Sequence, residues 1–264
     1  NSGFEIYRRV GHRLVAGWLM PEVLPILATL DQAQRSNNVS GAVVEIGVHH
    51  GRLFIGLNLL QQDGEYSVAI DVFEDQDLNI DKSGKGNLGR FRKNLDRWSS
   101  LDSVVIHQGD STKLCPEDLM ALARGPVRLF SVDGGHTDEI VFSDMRLAEA
   151  VLAPGGIVVA DDVFNESWPG VSTGTIRYLT GGGRLVPFAI GFNKVFFAHP
   201  DRARYYRDLL QRSYMGRFLL TAKSSSFLEH EVLIVARLPR KVRSLVGRSQ
   251  MARRLYHALQ NSQR

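Results

Sequence analysis

Short runs of aliphatic and β-branched residues alternate along the chain with stretches whose apolar positions recur every three to four residues. Ala-Val-Val-Glu-Ile at 42–46, Tyr-Ser-Val-Ala-Ile at 66–70, and residues 104–107, 127–132 and 157–160 predict five buried strands. Residues 53–61, 88–98, 116–124 and 138–152 carry helical spacing between them. Pro116 suits a first helical position, and Pro154-Gly155-Gly156 reads as the stop of the last of these helices. This alternation is the signature of βαβ units and predicts a parallel sheet with helices on both faces. Two more strands, 184–190 and 194–198, flank Gly191-Phe192-Asn193, a hairpin that makes the last pair antiparallel. The expected fold class is α/β, doubly wound, with a mostly parallel seven-stranded sheet, an antiparallel last strand and helical additions at both ends.

The ends read differently from the body. Residues 14–30 are apolar but hold Glu22, Pro21 and Pro25, too short and too broken for a membrane span. They predict one or two short helices packed on the core or on a second copy, which makes a homodimer the expectation. Beyond residue 200, a helix (202–211), a strand (231–236) and a terminal basic helix are expected; Val242, Leu245, Val246, Ala252, Leu255 and Leu259 give that last helix its apolar face. The division is one domain over 1–264: a helical cap (1–40), a core (41–199) and an appendage (200–264). The polar stretch 73–87 is long for a loop inside such a core, and loops of that length are commonly functional.

Composition narrows the class. With 44% hydrophobic and 23% charged residues the chain is an ordinary globular protein and not a disordered one. A single cysteine, Cys115, excludes a disulfide framework and a cysteine zinc site, fits a reducing cytoplasmic setting, and is expected as a small core residue. No secretory signal is visible at the start. The net charge of +4 comes from the tail: seven basic residues and no acidic one follow Leu238, and the remaining 25 face 28 acidic residues, a balance of −3. Nucleic-acid binding wants basic residues around the site itself and is disfavoured. The basic terminal helix is either a docked helix with a solvated face or a peripheral contact for anionic lipid or an acidic partner.

In an open parallel sheet, ligands bind at the carboxyl ends of the strands, where the strand order reverses. The first strand ends in Glu45-Ile46-Gly47-Val48-His49-His50-Gly51, a turn whose glycines let backbone approach a ligand closely. The following helix start favours an anionic group, with His49 and His50 either lining it or shaping the turn. Asp71 ends the second strand, twenty residues past Gly51, where a carboxylate can accept from a ribose diol. Asp110 and Ser111 follow the third strand and suit an adenine edge. The glycine pattern resembles the acidic-x-G-x-G-x-G motif of class I S-adenosylmethionine (SAM) methyltransferases. Glu45, Gly47 and Gly51 match it, while His49 replaces the middle glycine, as the catechol-type branch also allows.

Asp133 ends the fourth strand, and Asp161 and Asp162 end the fifth. Each aspartate alone could cap a following helix. Three converging carboxylates repel one another unless a positive group sits between them, and hard oxygen ligands suit Mg²⁺, Mn²⁺ or Ca²⁺. The spacing, with the flanking Val132-Asp133-Gly134-Gly135-His136 and Leu152-Ala153-Pro154-Gly155-Gly156, resembles the metal triad of the cation-dependent O-methyltransferases. Asp162, where the catechol type has asparagine, is closer to the antibiotic-sugar types. The likeness spans residues 41–198.

What the resemblance implies is a Rossmann-like fold and methyl transfer from SAM to a hydroxyl of a small molecule (a sugar, a diol or a natural product). Glu45, Gly47, His49, Gly51, Asp71, Asp110, Ser111 and Asp133 would hold the cofactor. Asp133, Asp161 and Asp162 would hold a divalent cation, Mg²⁺ first. His136 occupies the place of the catechol-type lysine proposed as general base, and its pKa suits that role. Trp168-Pro169-Gly170 reads as a wall or lid of the acceptor pocket. Two alternatives stay open: a metal-site enzyme resembling the cephalosporin hydroxylase group, and a non-catalytic SAM- or nucleoside-binding module. Nucleic-acid methylation is disfavoured by the acidic body and by the lack of an Asn/Asp-Pro-Pro-Tyr/Phe motif.

Overall fold

The computed structural model describes residues 2–215, 217 and 219–239. The basic terminal segment, whose charges begin at Arg240, lies outside the described residues. In chain order the elements are α1 (Ser2–Arg9), α2 (Val23–Ser36), β1 (Ala42–Ile46), α3 (Phe54–Asn58), β2 (Ser67–Asp71), α4 (Leu88–Trp98), β3 (Val104–Gln108), α5 (Pro116–Ala123) and β4 (Val127–Val132). They continue with α6 (Asp138–Val151), β5 (Leu152–Asp161), α7 (Pro169–Thr180), β6 (Val186–Gly191), β7 (Lys194–Ala198), α8 (Pro200–Tyr214), β8 (Leu220–Phe227) and β9 (His230–Arg237).

One sheet runs through the described residues in the order β3-β2-β1-β4-β5-β7-β6-β9-β8. The five strands β3 to β5 are parallel, and β7 is antiparallel to both β5 and β6. This is the expected doubly wound sheet of seven strands, lengthened by a β8–β9 hairpin joined to β6 through Ala189 and Ile190. Apolar side chains on one face pack with α1 to α4 and α8, and those on the other with α5 to α7. The strands β1 and β4 are buried at every position, as strands covered on both faces must be.

Three local expectations change. Pro154-Gly155-Gly156 does not end a helix; it lies inside β5, in an irregularity between the pairings Val127–Leu152 and Leu129–Ile157. The carbonyl of Gly155 is satisfied there by the Gln34 amide (3.2 Å) and the Tyr206 hydroxyl (2.6 Å). Cys115 is exposed, because it caps α5, its Sγ accepting from the Asp118 N–H at 3.4 Å. The segment after Trp168 is a helix, α7, whose Gly174 leaves room for the Asp138 carbonyl: a Cβ there would stand 2.7 Å from it.

Arg128, at the amino end of β4, is fully buried. Its guanidinium reaches Glu65 (2.9 Å), Asp31 (2.9 Å), the Gln34 amide oxygen (2.8 Å) and the Leu60 carbonyl (2.7 Å). It thereby ties α2 and the α3–β2 turn to the edge of the sheet opposite the strand tips. Replacing Arg128 by Met leaves two buried carboxylates without this partner, and the unfolding free energy should drop by about 3–5 kcal/mol. Urea denaturation measures this, and a loss under about 1 kcal/mol would mean that the network contributes no more than an exposed pair.

Candidate functional site

The strand order reverses between β1 and its neighbours β2 and β4, and a cavity of about 520 Å³ opens at the carboxyl ends there. Glu45, Gly47, His49, Asp71, Asp110, Ser111, Asp133, His136, Asp161 and Asp162 all line it; Gly51 stands just behind, on the turn into α3.

Gly47 leaves β1 at φ +84°, and a Cβ there would fall 1.7 Å from the carbonyl oxygen of Asp133. The exits of β1 and β4 therefore touch, and only glycine permits it. His49 turns at φ +51°, and its N–H donates to Asp71 Oδ2 at 2.7 Å; the N–H of Phe73 donates to Asp71 Oδ1 at 2.6 Å. One carboxylate thus pins the glycine turn to the start of the long loop. Burial raises the Asp71 pKa in spite of these two bonds. The His49 ring packs beside His50 (3.8 Å between centroids) and Trp18 (5.4 Å), and burial lowers the pKa of both histidines. Glu45 is 2% exposed, and burial pushes its pKa up to about 8. Ser131 donates to its Oε1 at 3.2 Å, while Oε2 has no hydrogen-bond partner among the described residues. Asp110 uses Oδ1 to cap the short helical turn at Ser111–Lys113, bonding the Thr112 N–H at 2.9 Å.

Acidic groups crowd the other half of the cavity. Asp133, at the tip of β4, has its pKa raised by burial and by the Asp161 carboxylate. Asp161 Oδ2 meets the ammonium of Lys194 at 2.7 Å, and the same ammonium stands 3.7 Å from Asp133 Oδ2. Burial alone would lower the Lys194 pKa, but Asp161 and Asp133 outweigh it and hold the pKa above its ordinary value. Asp162 sits at φ +58° and accepts from Asn193 Nδ2 and Asn165 Nδ2, each at 2.6 Å. Its other oxygen stands 3.3 Å from His136 Nε2. These contacts overcome the effect of burial and take its pKa down to about 2.

His136 is fixed on three sides. Its backbone N–H donates to Asp81 Oδ2 at 2.6 Å, its Nδ1 lies 2.8 Å from the same oxygen, and its ring stacks on Trp168 with centroids 4.3 Å apart. Burial opposes protonation, yet Asp162 and Asp81 together raise its pKa. Asp133, His136 and Asp162 each bring one ligand atom within 4.8 Å of the others, a donor set that fits a divalent ion. Asp161 lies alongside this group, bonded to Lys194.

The strand-tip acids and the glycine turn expected from the sequence lie around one cavity, and Trp168 lines it too. Asp81 carries no signal in the sequence, being one of several acids in the polar loop and indistinguishable there by spacing. Lys194 is not among the residues expected from the sequence, although a lysine opening the otherwise apolar Lys-Val-Phe-Phe-Ala strand is a usable signal. Asn193 and Asn165 carried none.

No curated protein matches the chain. Among solved structures, the O-methyltransferase NovP is similar over 67% of this chain and 80% of its own, at 17% identity and a TM-score of 0.53. A structure described as a putative O-methyltransferase from Klebsiella pneumoniae is similar over 75% of this chain and 90% of its own, at 15% identity and a TM-score of 0.51. These likenesses establish the fold. Residues 44–163 match the family described as methyltransferase domain, and they include the glycine turn, Asp71 and the carboxylate cluster. Over residues 44–163 the chain is thus similar to a methyltransferase domain, set in a Rossmann-like sheet of core order β3-β2-β1-β4-β5-β7-β6.

Proposed function

We propose that the protein moves the methyl group of SAM to a hydroxyl of a small molecule such as a sugar or other diol, with a divalent cation assisting. The observation that carries this reading is His136, held by Asp81 and Trp168 with Nε2 directed at the carboxylate cluster, in the same cavity as Glu45 and Asp71. When bound, SAM supplies an electrophilic methyl carbon. The orphaned Glu45 Oε2, the Gly47 contact that no Cβ could share, and the strand-tip cavity all fit such a ligand.

The residues divide the work. Asp71 has one backbone donor on each oxygen, and a carboxylate keeps further lone pairs for a ribose diol. Asp110 engages only Oδ1 in its own turn, and Ser111 beside it lines the adenine end. Glu45, Gly47, His49, Gly51 and the Asp133 backbone shape the methionine end. Asp133 and Asp162, with Asp161 beside them, would hold the cation, Mg²⁺ first, whose contribution is to polarise the acceptor oxygen. His136 Nε2 would take the proton of the hydroxyl as its oxygen gains the methyl carbon, the methyl–sulfur bond breaking to leave S-adenosylhomocysteine. The imidazolium left behind stands between Asp81 and Asp162, which stabilise it. Trp168 keeps the ring in plane, and positioning of this kind is a large part of catalysis. No helix among the described residues is long and apolar enough to cross a membrane.

Three outcomes test the reading. Incubation with SAM, Mg²⁺ and a panel of diols should give products heavier by one methylene group in mass spectrometry; a gain of oxygen would point to a hydroxylase instead. Asp71→Ala should weaken binding of S-adenosylhomocysteine about 10- to 100-fold in calorimetry, the worth of hydrogen bonds to a charged acceptor; unaltered affinity would remove Asp71 from the cofactor site. Because His136 must be neutral to accept a proton and its pKa is raised, kcat/KM should climb with pH through a value above 6.5. Asp81→Asn removes one of the two raising carboxylates, so that limb should move to lower pH, and a limb that stays in place would separate His136 from the proton transfer.

A further inference from the structure

The carboxylate cluster already contains a cation. Lys194 is 3% exposed, and its position does not depend on a flexible side chain finding a partner. In the antiparallel β5–β7 pairing Asp161 and Lys194 are direct cross-strand partners, so the sheet register sets them side by side. The result is the 2.7 Å contact to Asp161 Oδ2. The remaining oxygen of Asp161, Oδ1, accepts from Asn193 Nδ2 at 3.1 Å. Both oxygens of this carboxylate thus accept from the chain itself, and one of the donors carries a full positive charge that the partners of Asp162 Oδ1 lack.

The other two carboxylates are placed differently. Asp162 gives Oδ1 to two asparagine amides and leaves Oδ2 facing His136. Asp133 touches the ammonium only at 3.7 Å and is open to the cavity, its side chain 24% exposed. A carboxylate bonded to a buried ammonium has spent the charge that a metal ligand needs, and a divalent ion drawn to it would face that ammonium at short range.

We propose that Lys194 is a fixed counter-ion that withholds Asp161 from metal ligation, so that the divalent ion is gripped by Asp133 and Asp162. This departs from the three-aspartate set that the family resemblance implies, and it rests on the metal-assisted reading given above. The charge count agrees with it: three carboxylates and one ammonium leave two negative charges, which a divalent ion cancels. Two carboxylates are also the usual protein share for Mg²⁺, which keeps the rest of its shell for water and substrate oxygens. Lys194 acts here as a positioning residue, and it determines which faces of the cluster accept an ion.

The test uses the full chain with Mn²⁺ as the probe, its binding followed by electron paramagnetic resonance, and S-adenosylhomocysteine binding as a check on folding. The charge-balanced pair Asp161→Asn with Lys194→Met should bind Mn²⁺ within about 3-fold of the unaltered protein, whereas Asp162→Asn should bind it about 10- to 100-fold more weakly or worse, at least the cost of disturbing a metal's surroundings. Lys194→Met alone, which frees Asp161, should bind Mn²⁺ more tightly. A paired variant as weak as Asp162→Asn would overturn the inference and leave the metal-assisted reading intact. Absence of Mn²⁺ binding by the unaltered protein, with S-adenosylhomocysteine still bound, would overturn both the inference and the metal half of that reading. Should the buried methionine prevent folding, anomalous scattering from Mn²⁺-soaked crystals of the unaltered protein decides: an Asp161 oxygen on the ion refutes the inference, and Asp161 still on Lys194 beside an ion on Asp133 and Asp162 supports it.

Discussion

Four acidic side chains meet at one edge of this sheet, and their mutual repulsion is the constraint on which the site depends. Glu45, Asp133, Asp161 and Asp162 come from the tips of three neighbouring strands, where the parallel topology leaves no freedom to separate them. Three of the four are handled by different means. Burial keeps Glu45 in a range where it can carry a proton at neutral pH. Asparagine amides and His136 stabilise Asp162 as an anion. Asp161 is matched by Lys194, which arrives on the antiparallel strand next door. The change of strand direction at β7 is thus more than a topological detail, since it brings a buried ammonium to the edge where the parallel strands deliver carboxylates.

The opposite edge solves a related problem with opposite sign. Arg128 is a buried cation that gathers anions from α2 and the α3–β2 turn, and it holds those segments against the amino ends of the strands. Both networks are buried ion clusters, where loss of one member costs more than the intact cluster contributes. The sheet thus carries a buried ion cluster at each end of its central strands. The long loop is attached to this frame at its start, where Asp71 accepts from the Phe73 N–H, and near its middle, where Asp81 accepts from the His136 N–H.

Much of the architecture was legible because it rests on local patterns. The strand at Val127–Val132 and the helix at Leu88–Trp98 have the bounds expected from periodicity and caps. The acids at the strand tips were legible for a similar reason, since a parallel sheet sends the ends of its strands to one edge. What stayed hidden depended on long-range partners. The helix α7 contains Gly170, Gly174 and three threonines and is poor in helix formers; it exists because α6 packs closely along it. Residues 220–227 alternate weakly and carry Lys223 and three serines, so β8 is stabilised by its pairing with β9 more than by its own composition. Asp81 and Lys194 belong to the site through contacts with residues dozens of positions away, which spacing cannot report. Cys115 looked like a core residue by type, yet its position before Pro116 makes it a cap.

The β8–β9 hairpin also changes what the sheet presents at its margin. Without it, β6, with Pro187, Phe188, Ala189 and Ile190, would be the outermost strand on that side, an apolar ribbon whose unpaired backbone groups could recruit another chain. With it, the outermost strand is β8, whose middle residues Ser224, Ser225 and Ser226 are exposed and polar beside Lys223. The appendage thereby exchanges a sticky border for a hydrophilic one, and it guards this side of the domain against edge-to-edge self-association.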